Sequence, residues 1–266
     1  MRSHKQIAMD ERLSAKYVGK LKTAADFLLS DPEIKILQDY ANTVSITRLN
    51  YNDHGPVHMR KVASNAVKIM DILDKAGIKF NLEEEELGNI EDSKVAVFTA
   101  SFLHDIGMSI GRDGHERMTI TLTQEKIDGL MKLIYPDDLK MQLIIKSLVF
   151  EGIIGHMGTQ KIHSLEAGVV LVADGCDMEG GRSRIPLIME SGSKVGDIHK
   201  YSSAAIKKVY IEKGKDLPLR IQVEMSESAG FFQIEEVLMK KIGMSPVKKY
   251  IELYGGVIGQ DLKRYL

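Results

Sequence analysis

With 266 residues, 44% hydrophobic and 27% charged, the chain is long enough to bury a sizeable core, and its composition excludes a disordered or fibrous protein. A net charge of −1 leaves no electrostatic footprint for nucleic acid or for an anionic membrane. Its one cysteine, Cys176, excludes an internal disulfide framework; with no apolar signal core and no run of about 18 apolar residues, a cytoplasmic protein with no membrane partner is expected.

Residues 5 to 50 carry apolar side chains at helical spacing, from Ile7 through Leu21, Leu28 and Leu37 to Leu49. Ser30-Asp31-Pro32-Glu33 reads as a helix restart, Asp31 capping and Pro32 taking the first helical position. These are packing helices. A polar turn, Asn50 to Gly55, then feeds a second proline-initiated helix from Pro56 to a stop at Gly77. His58 falls in its first turn with Val62 and Ala66 one and two turns on, so its ring projects near the buried face. The polar stretch 78–93, with Glu83-Glu84-Glu85-Glu86 at its centre, reads as a solvated face and is given no chemistry.

The run Val95 to Leu103 is apolar on every face and ends abruptly in His104-Asp105, after which Gly107 and Gly111 break the helix. Ionisable groups at the end of a buried helix have to be paired or bound to something. Imidazole with carboxylate suits divalent ions of the zinc, iron and manganese kind, although a lone His-Asp dipeptide is more often a buried hydrogen bond. His115 follows in a glycine-rich loop. Two amphipathic helices come next, separated by Pro136-Asp137-Asp138, and the second gives way to glycines at Gly155-His156-Met157-Gly158. A further helix opening at Ser164 ends its apolar run Val169 to Ala173 in Asp174-Gly175. One ionisable residue at a helix end is noise; the recurrence at His58, His104-Asp105, His156 and Asp174 points to one polar cavity at the mouth of a helical bundle.

The order His58, His104-Asp105, Asp174 resembles the H…HD…D signature of the HD-domain metal-dependent phosphohydrolases. Supporting text surrounds each element: His58-Met59-Arg60-Lys61-Val62-Ala63, Phe102-Leu103-His104-Asp105-Ile106-Gly107 and Leu171-Val172-Ala173-Asp174. The resemblance covers about residues 50 to 180 and implies an all-helical domain whose His58, His104, Asp105 and Asp174 bind a divalent ion. Members with two ions recruit further histidines between the central pair and the last aspartate, and His115 and His156 are the positions available. Asp105 is then expected to bridge, since a carboxylate can offer one oxygen to each ion. The implied activity is hydrolysis of a phosphate ester, with His104 and Asp105 central to catalysis and one or two ions of manganese, iron, zinc, cobalt, nickel or magnesium as cofactor. The expected substrate is small, phosphorylated and nucleotide-like; the alternative is a silent nucleotide-binding regulatory module that keeps the same pocket. Met108 stands where the cyclic-dinucleotide-cleaving branch has lysine, and that branch's Gly-Tyr-Pro is absent, which discounts its substrate. His54 and His163 read as local caps or partners of ligands.

Beyond Asp174, Arg182 and Arg184 lie in a basic, glycine-rich stretch and are the sequence's candidates for holding substrate phosphate. From 206 the pattern changes to a hairpin of alternating strands around Gly214, a helix through Phe231 to Ile242, and a strand from Val247 to Leu253. The expected architecture is therefore mainly α: a helical HD-type domain over 1–203, with packing helices 1–50 and motif core 50–180, and a small ββαβ appendage over 204–266. That appendage could mediate a homodimer, bind a regulator or cover the bundle. Every ligand candidate precedes residue 180.

Overall fold

The computed structural model describes residues 3–180 and 198–266. It is organised around α6 (Ile90–Leu103), buried without a break from Val95 to its last residue. Asn89 caps it by accepting from the Glu91 and Asp92 amides, and Asp92 completes the capping box. A helix apolar all round has to be surrounded. It is enclosed by α2 (Gly19–Ser30), α4 (Pro56–Lys75), α8 (Leu139–Gly155) and α9 (Leu165–Gly175), while α1 (His4–Lys16) lies against α2 and α4. The restart at Ser30 is as read: α3 (Pro32–Thr43) begins on Pro32, and Asp31 Oδ1 accepts from the Glu33 and Ile34 amides at 2.8 and 3.0 Å. The acidic tetrad lies on and just after α5 (Asn81–Glu84), with Glu84, Glu85 and Glu86 exposed.

Two buried polar contacts set the α4 and α6 ends that carry the motif. Arg60, fully buried in α4, pairs with Asp10 of α1 and donates to Gln38 Oε1 of α3 at 2.8 Å and to the Pro56 carbonyl at 3.0 Å. Gln38 in turn donates at 2.9 Å to the Phe102 carbonyl, one of the acceptors that the end of α6 leaves unpaired. Beyond His104-Asp105 the chain makes a tight turn, Ile106–Ser109, and enters α7 (His115–Ile134). Gly107 is required there, because a Cβ would collide with the His115 carbonyl oxygen. Thr119 locks the crossing: its hydroxyl accepts from the Gly107 amide at 2.8 Å and donates to the His104 carbonyl at 2.9 Å.

The C-terminal part begins with α10 (Ile198–Ala205) and carries a four-stranded sheet in the order β1 (Ile206–Lys213), β2 (Leu219–Met225), β3 (Ile251–Val257), β4 (Lys263–Arg264). The β1–β2 hairpin is antiparallel with Ile211 opposite Ile221, and the Glu252 carboxylate accepts from the Lys215, Asp216 and Leu217 amides of its turn. β2 buries Leu219, Ile221, Val223 and Met225 in strict alternation. β3 pairs parallel to β2, which demands a crossover. It is supplied by α11 (Phe231–Gln233), a π turn at Ile234–Leu238 and α12 (Met239–Met244). The strand expected over 247–253 lies instead at 251–257: Ser245 caps a 3-10 turn, Pro246–Tyr250, and donates to the Gly168 carbonyl at 3.0 Å, tying that turn to α9 before the strand begins. The fold is thus mainly helical with a small C-terminal α+β part. No helix among the described residues is long and apolar enough to cross a membrane.

Candidate metal centre

Six side chains singled out in the sequence meet at one point between α4, α6, α7, α8 and α9. His58, His104, Asp105, His115 and His156 are each at most 2% exposed, and the Asp174 side chain is 11% exposed. They form two groups that share Asp105. On one side, Asp105 Oδ2 lies 3.2 Å from His58 Nε2 and 3.1 Å from His104 Nε2, these nitrogens are 3.2 Å apart, and Asp174 Oδ1 is 3.3 and 3.8 Å from them. On the other, Asp105 Oδ1 lies 3.2 Å from His115 Nε2 and 3.4 Å from His156 Nε2, which are 3.1 Å apart.

The protonation pattern of the imidazoles follows from what lies behind them. His104, His115 and His156 each place Nδ1 on a backbone carbonyl three residues upstream, Ser101, Arg112 and Ile153, at 2.8, 2.8 and 2.6 Å. His58 Nδ1 lies 2.7 Å from Asp177 Oδ2. Carbonyls and carboxylates only accept, so each Nδ1 carries a proton, and it is the Nε2 of each ring that turns inward, a lone-pair donor whenever the ring is neutral. Seven potential ligand atoms on six residues then converge in a buried space. A single shared proton satisfies two such atoms, not four. Tetrahedral ligands about 2.0–2.1 Å from an ion lie about 3.3–3.4 Å from each other, and most of the spacings here fall within a few tenths of an ångström of that. The donor set and its spacing therefore fit a divalent ion on each side of Asp105, held by His58, His104, Asp105 and Asp174 on one side and by Asp105, His115 and His156 on the other.

Charge around the cluster is graded. Burial works to raise the Asp105 carboxyl, but His104 and His54 and hydrogen bonds from His104 and His115 hold it well below the usual carboxylate range. Asp174 is likewise held down against its burial, mainly by the Lys241 ammonium. Burial pushes His156 down to about 4; at His115 burial pulls the same way, but the hydrogen bond and charge of Asp105 together with the Arg112 carbonyl outweigh it and raise the imidazole.

Sequence reasoning gave no role to Asp177, Lys61, Lys241 or Arg112, and read His54 only as a local cap or partner of a ligand. Asp177 backs His58 and is itself held by Lys61 Nζ at 2.8 Å, which also reaches Glu179 at 2.7 Å. Its place three residues after Asp174, on the same side of the helix end, was the available signal. Lys241 of α12 pairs with Asp174 Oδ2 and donates to the His156 carbonyl at 2.9 Å, so the C-terminal part reaches into the centre although every ligand candidate precedes residue 180. No local pattern could have announced it. His54, Nδ1 at 2.9 Å from the Ser45 hydroxyl, and Arg112 line the cavity in front of the cluster. His163 lies elsewhere, its amide on Glu151 at 2.6 Å. Arg182 and Arg184 fall outside the described residues.

A buried pair of histidine and aspartate groups sharing one carboxylate at the ends of packed helices defines the centre by its chemistry. No protein-family profile matches the chain, and no solved structure matches it. The chain is 37% identical over 241 residues, 90% of each chain, to the uncharacterized protein MJ1020 of Methanocaldococcus jannaschii, and it belongs to the same family as that protein.

Proposed function

We propose that the protein is a metal-dependent phosphohydrolase of the HD-domain kind, cleaving the phosphate ester of a small, nucleotide-like substrate. The observation that carries this reading is the set of four imidazoles whose Nδ1 protons all point outward while their Nε2 atoms converge on the two oxygens of Asp105. His58, His104, Asp105 and Asp174 would hold one ion, and Asp105, His115 and His156 a second. When bound, such ions acidify water toward neutrality and offset charge developing on phosphoryl oxygens. The chain's own part is positioning. Asp105, kept ionised, ties the two sides together; Asp177 and the three carbonyls fix the ring tautomers; Lys241 steadies Asp174 from behind, leaving Oδ1 toward the histidines. The cavity in front of the cluster, about 210 Å³, is where the ester would sit. The chain carries no G-x-S-x-G elbow and no Walker A loop to suggest a side-chain nucleophile or a P-loop.

One contact favours the silent nucleotide-binding module instead: an ammonium already answers part of the Asp174 charge. Metal analysis of protein purified without chelator, followed by a screen of phosphomonoesters, diesters and nucleotides, separates the two. Stoichiometric metal with metal-dependent turnover supports the hydrolase. Metal with ligand binding but no turnover supports the module, and absence of bound metal overturns both.

A further inference from the structure

The turn that links the central His-Asp motif to α7 holds a cation that no acid among the described residues answers. Arg112 lies seven residues after Asp105 in a turn whose backbone is fixed: its carbonyl accepts from His115 Nδ1 at 2.8 Å, and Gly114 follows in the left-handed region at φ 70°. Its side chain, half-buried, forms part of the wall of the cavity that Asp105, His156 and Asp174 also line. There the guanidinium meets only soft groups. Nη1 is 3.9 Å from Met108 Sδ, Nη2 is 3.5 Å from Met157 Sδ, and the guanidinium carbon lies 5.7 Å from the centre of the Tyr51 ring. Every other acidic side chain lining the cavity is already engaged, Asp105 and Asp174 with histidines and Asp177 with His58 and Lys61. No carboxylate among the described residues lies within ion-pair distance of Arg112.

Thioethers are weak acceptors, and a guanidinium carries five N–H donors in a planar fork. A cation that exchanges water for sulfur and a ring face, without a charge-assisted partner, is poorly compensated until an anion arrives. Its surroundings place it beside the second group of the centre: Nη2 meets Met157, next to His156 in the chain, and the Arg112 carbonyl holds His115. We propose that Arg112 is the phosphate receptor of this cavity, its fork taking two oxygens of a phosphomonoester dianion. A monoester presents three terminal oxygens and close to two negative charges, enough for the fork and for the centre behind it at once. A diester has one charge and two free oxygens. The assignment of monoester over diester rests on the phosphohydrolase reading; anion binding at Arg112 does not.

The test uses inorganic phosphate as probe, titrated by calorimetry into the full chain, both chelator-treated and metal-loaded, for wild type, Arg112→Gln and Arg112→Lys. Arg112→Gln should weaken phosphate at least tenfold in both preparations with bound metal unchanged, since the side chain touches no atom of the centre. Arg112→Lys, which keeps the charge and most of the aliphatic stem but loses the fork, should fall between the two. In turnover, Arg112→Gln should raise KM for a phosphomonoester more than for a diester. Phosphate affinity within twofold of wild type in both folded variants overturns the assignment, as does a wild type that does not bind phosphate at all. Failure of the wild type to hold metal would sink the phosphohydrolase reading alone, because the chelator-treated titration still decides Arg112.

Discussion

The two sides of Asp105 use the same imidazole chemistry on different foundations. His58 is backed by a carboxylate, Asp177, itself paired with Lys61, and Asp174 opposite is backed by Lys241. His156, just past the end of α8, rests on a backbone carbonyl alone, as His104 does, and His115, at the start of α7, rests on the Arg112 carbonyl with Glu116 Oε2 3.5 Å from the same Nδ1. A carboxylate behind an imidazole raises its basicity, while a carbonyl mainly fixes its orientation. On the proposed reading the carboxylate behind His58 would make the first side the stronger cation site, with Asp105 the part the two sides share.

Removing Asp105 should have the largest effect, since it takes one oxygen from each side. Asp105→Ala is expected to cut metal affinity more than a hundredfold, beyond the roughly 10–100-fold that partners behind ligands command, while circular dichroism stays helical. Full metal occupancy in that variant would refute the shared-carboxylate arrangement.

The second side should betray itself in acid. His156 is buried neutral at about 4 against an ordinary 6.5, so the unfolded chain binds more protons between those values and the metal-free fold loses stability as pH falls from about 6.5 to 4. Two and a half units correspond to about 3 kcal/mol from this group. His115 has the opposite sign: with its folded value raised, its contribution is fully present below about 6.5 and disappears as pH rises through the folded value. Urea melts of the metal-free protein should show His156→Gln flattening the loss between about 6.5 and 4, and His115→Gln removing the gain that comes as pH falls through the raised His115 value to about 6.5. Identical pH profiles for the two would remove the distinction between them.

The backing of the first side is probed by Asp177→Asn, for which a drop of about 10–100-fold in metal affinity is expected with thermal stability nearly kept; wild-type affinity would mean that Asp177 serves only Lys61. Lys241→Met should be milder still, about 1.5 kcal/mol off the metal-free protein by chemical denaturation and less once metal is bound, because the ion then answers Asp174. Equal losses with and without metal would show the contact to be merely structural. The smallest change is expected at the acidic stretch: Glu85→Gln, on exposed chain, should stay within about 0.5 kcal/mol.

The sequence by itself determined the helices and where each stops. The α6 run has no polar face, so it is central; Asp31-Pro32 and Gly55-Pro56 start helices by capping and a preset φ; Gly107 marks a crossing where no Cβ fits. That was enough to place five of the six cluster residues at helix ends, His115 being read in a loop; the H…HD…D resemblance singled out His58, His104, Asp105 and Asp174, and its two-ion members pointed to His115 and His156. The sheet was legible through alternation in β1 and β2, but β3 was read four residues early, because the Ser245 bond to the Gly168 carbonyl depends on a helix some eighty residues away. What only the tertiary structure decided is which atom of each ligand faces inward, and what stands behind it. Tautomer depends on the acceptor at Nδ1, a matter of ångströms rather than of residue type. A backing charge comes from chain that no local period connects to the motif, since Lys241 lies 67 residues beyond Asp174, and Arg112 differs from an ordinary loop arginine in meeting two thioethers and no carboxylate among the described residues. Periodicity records which face of an element is buried; electrostatic partnership is set where elements meet, and there spacing along the chain carries no information.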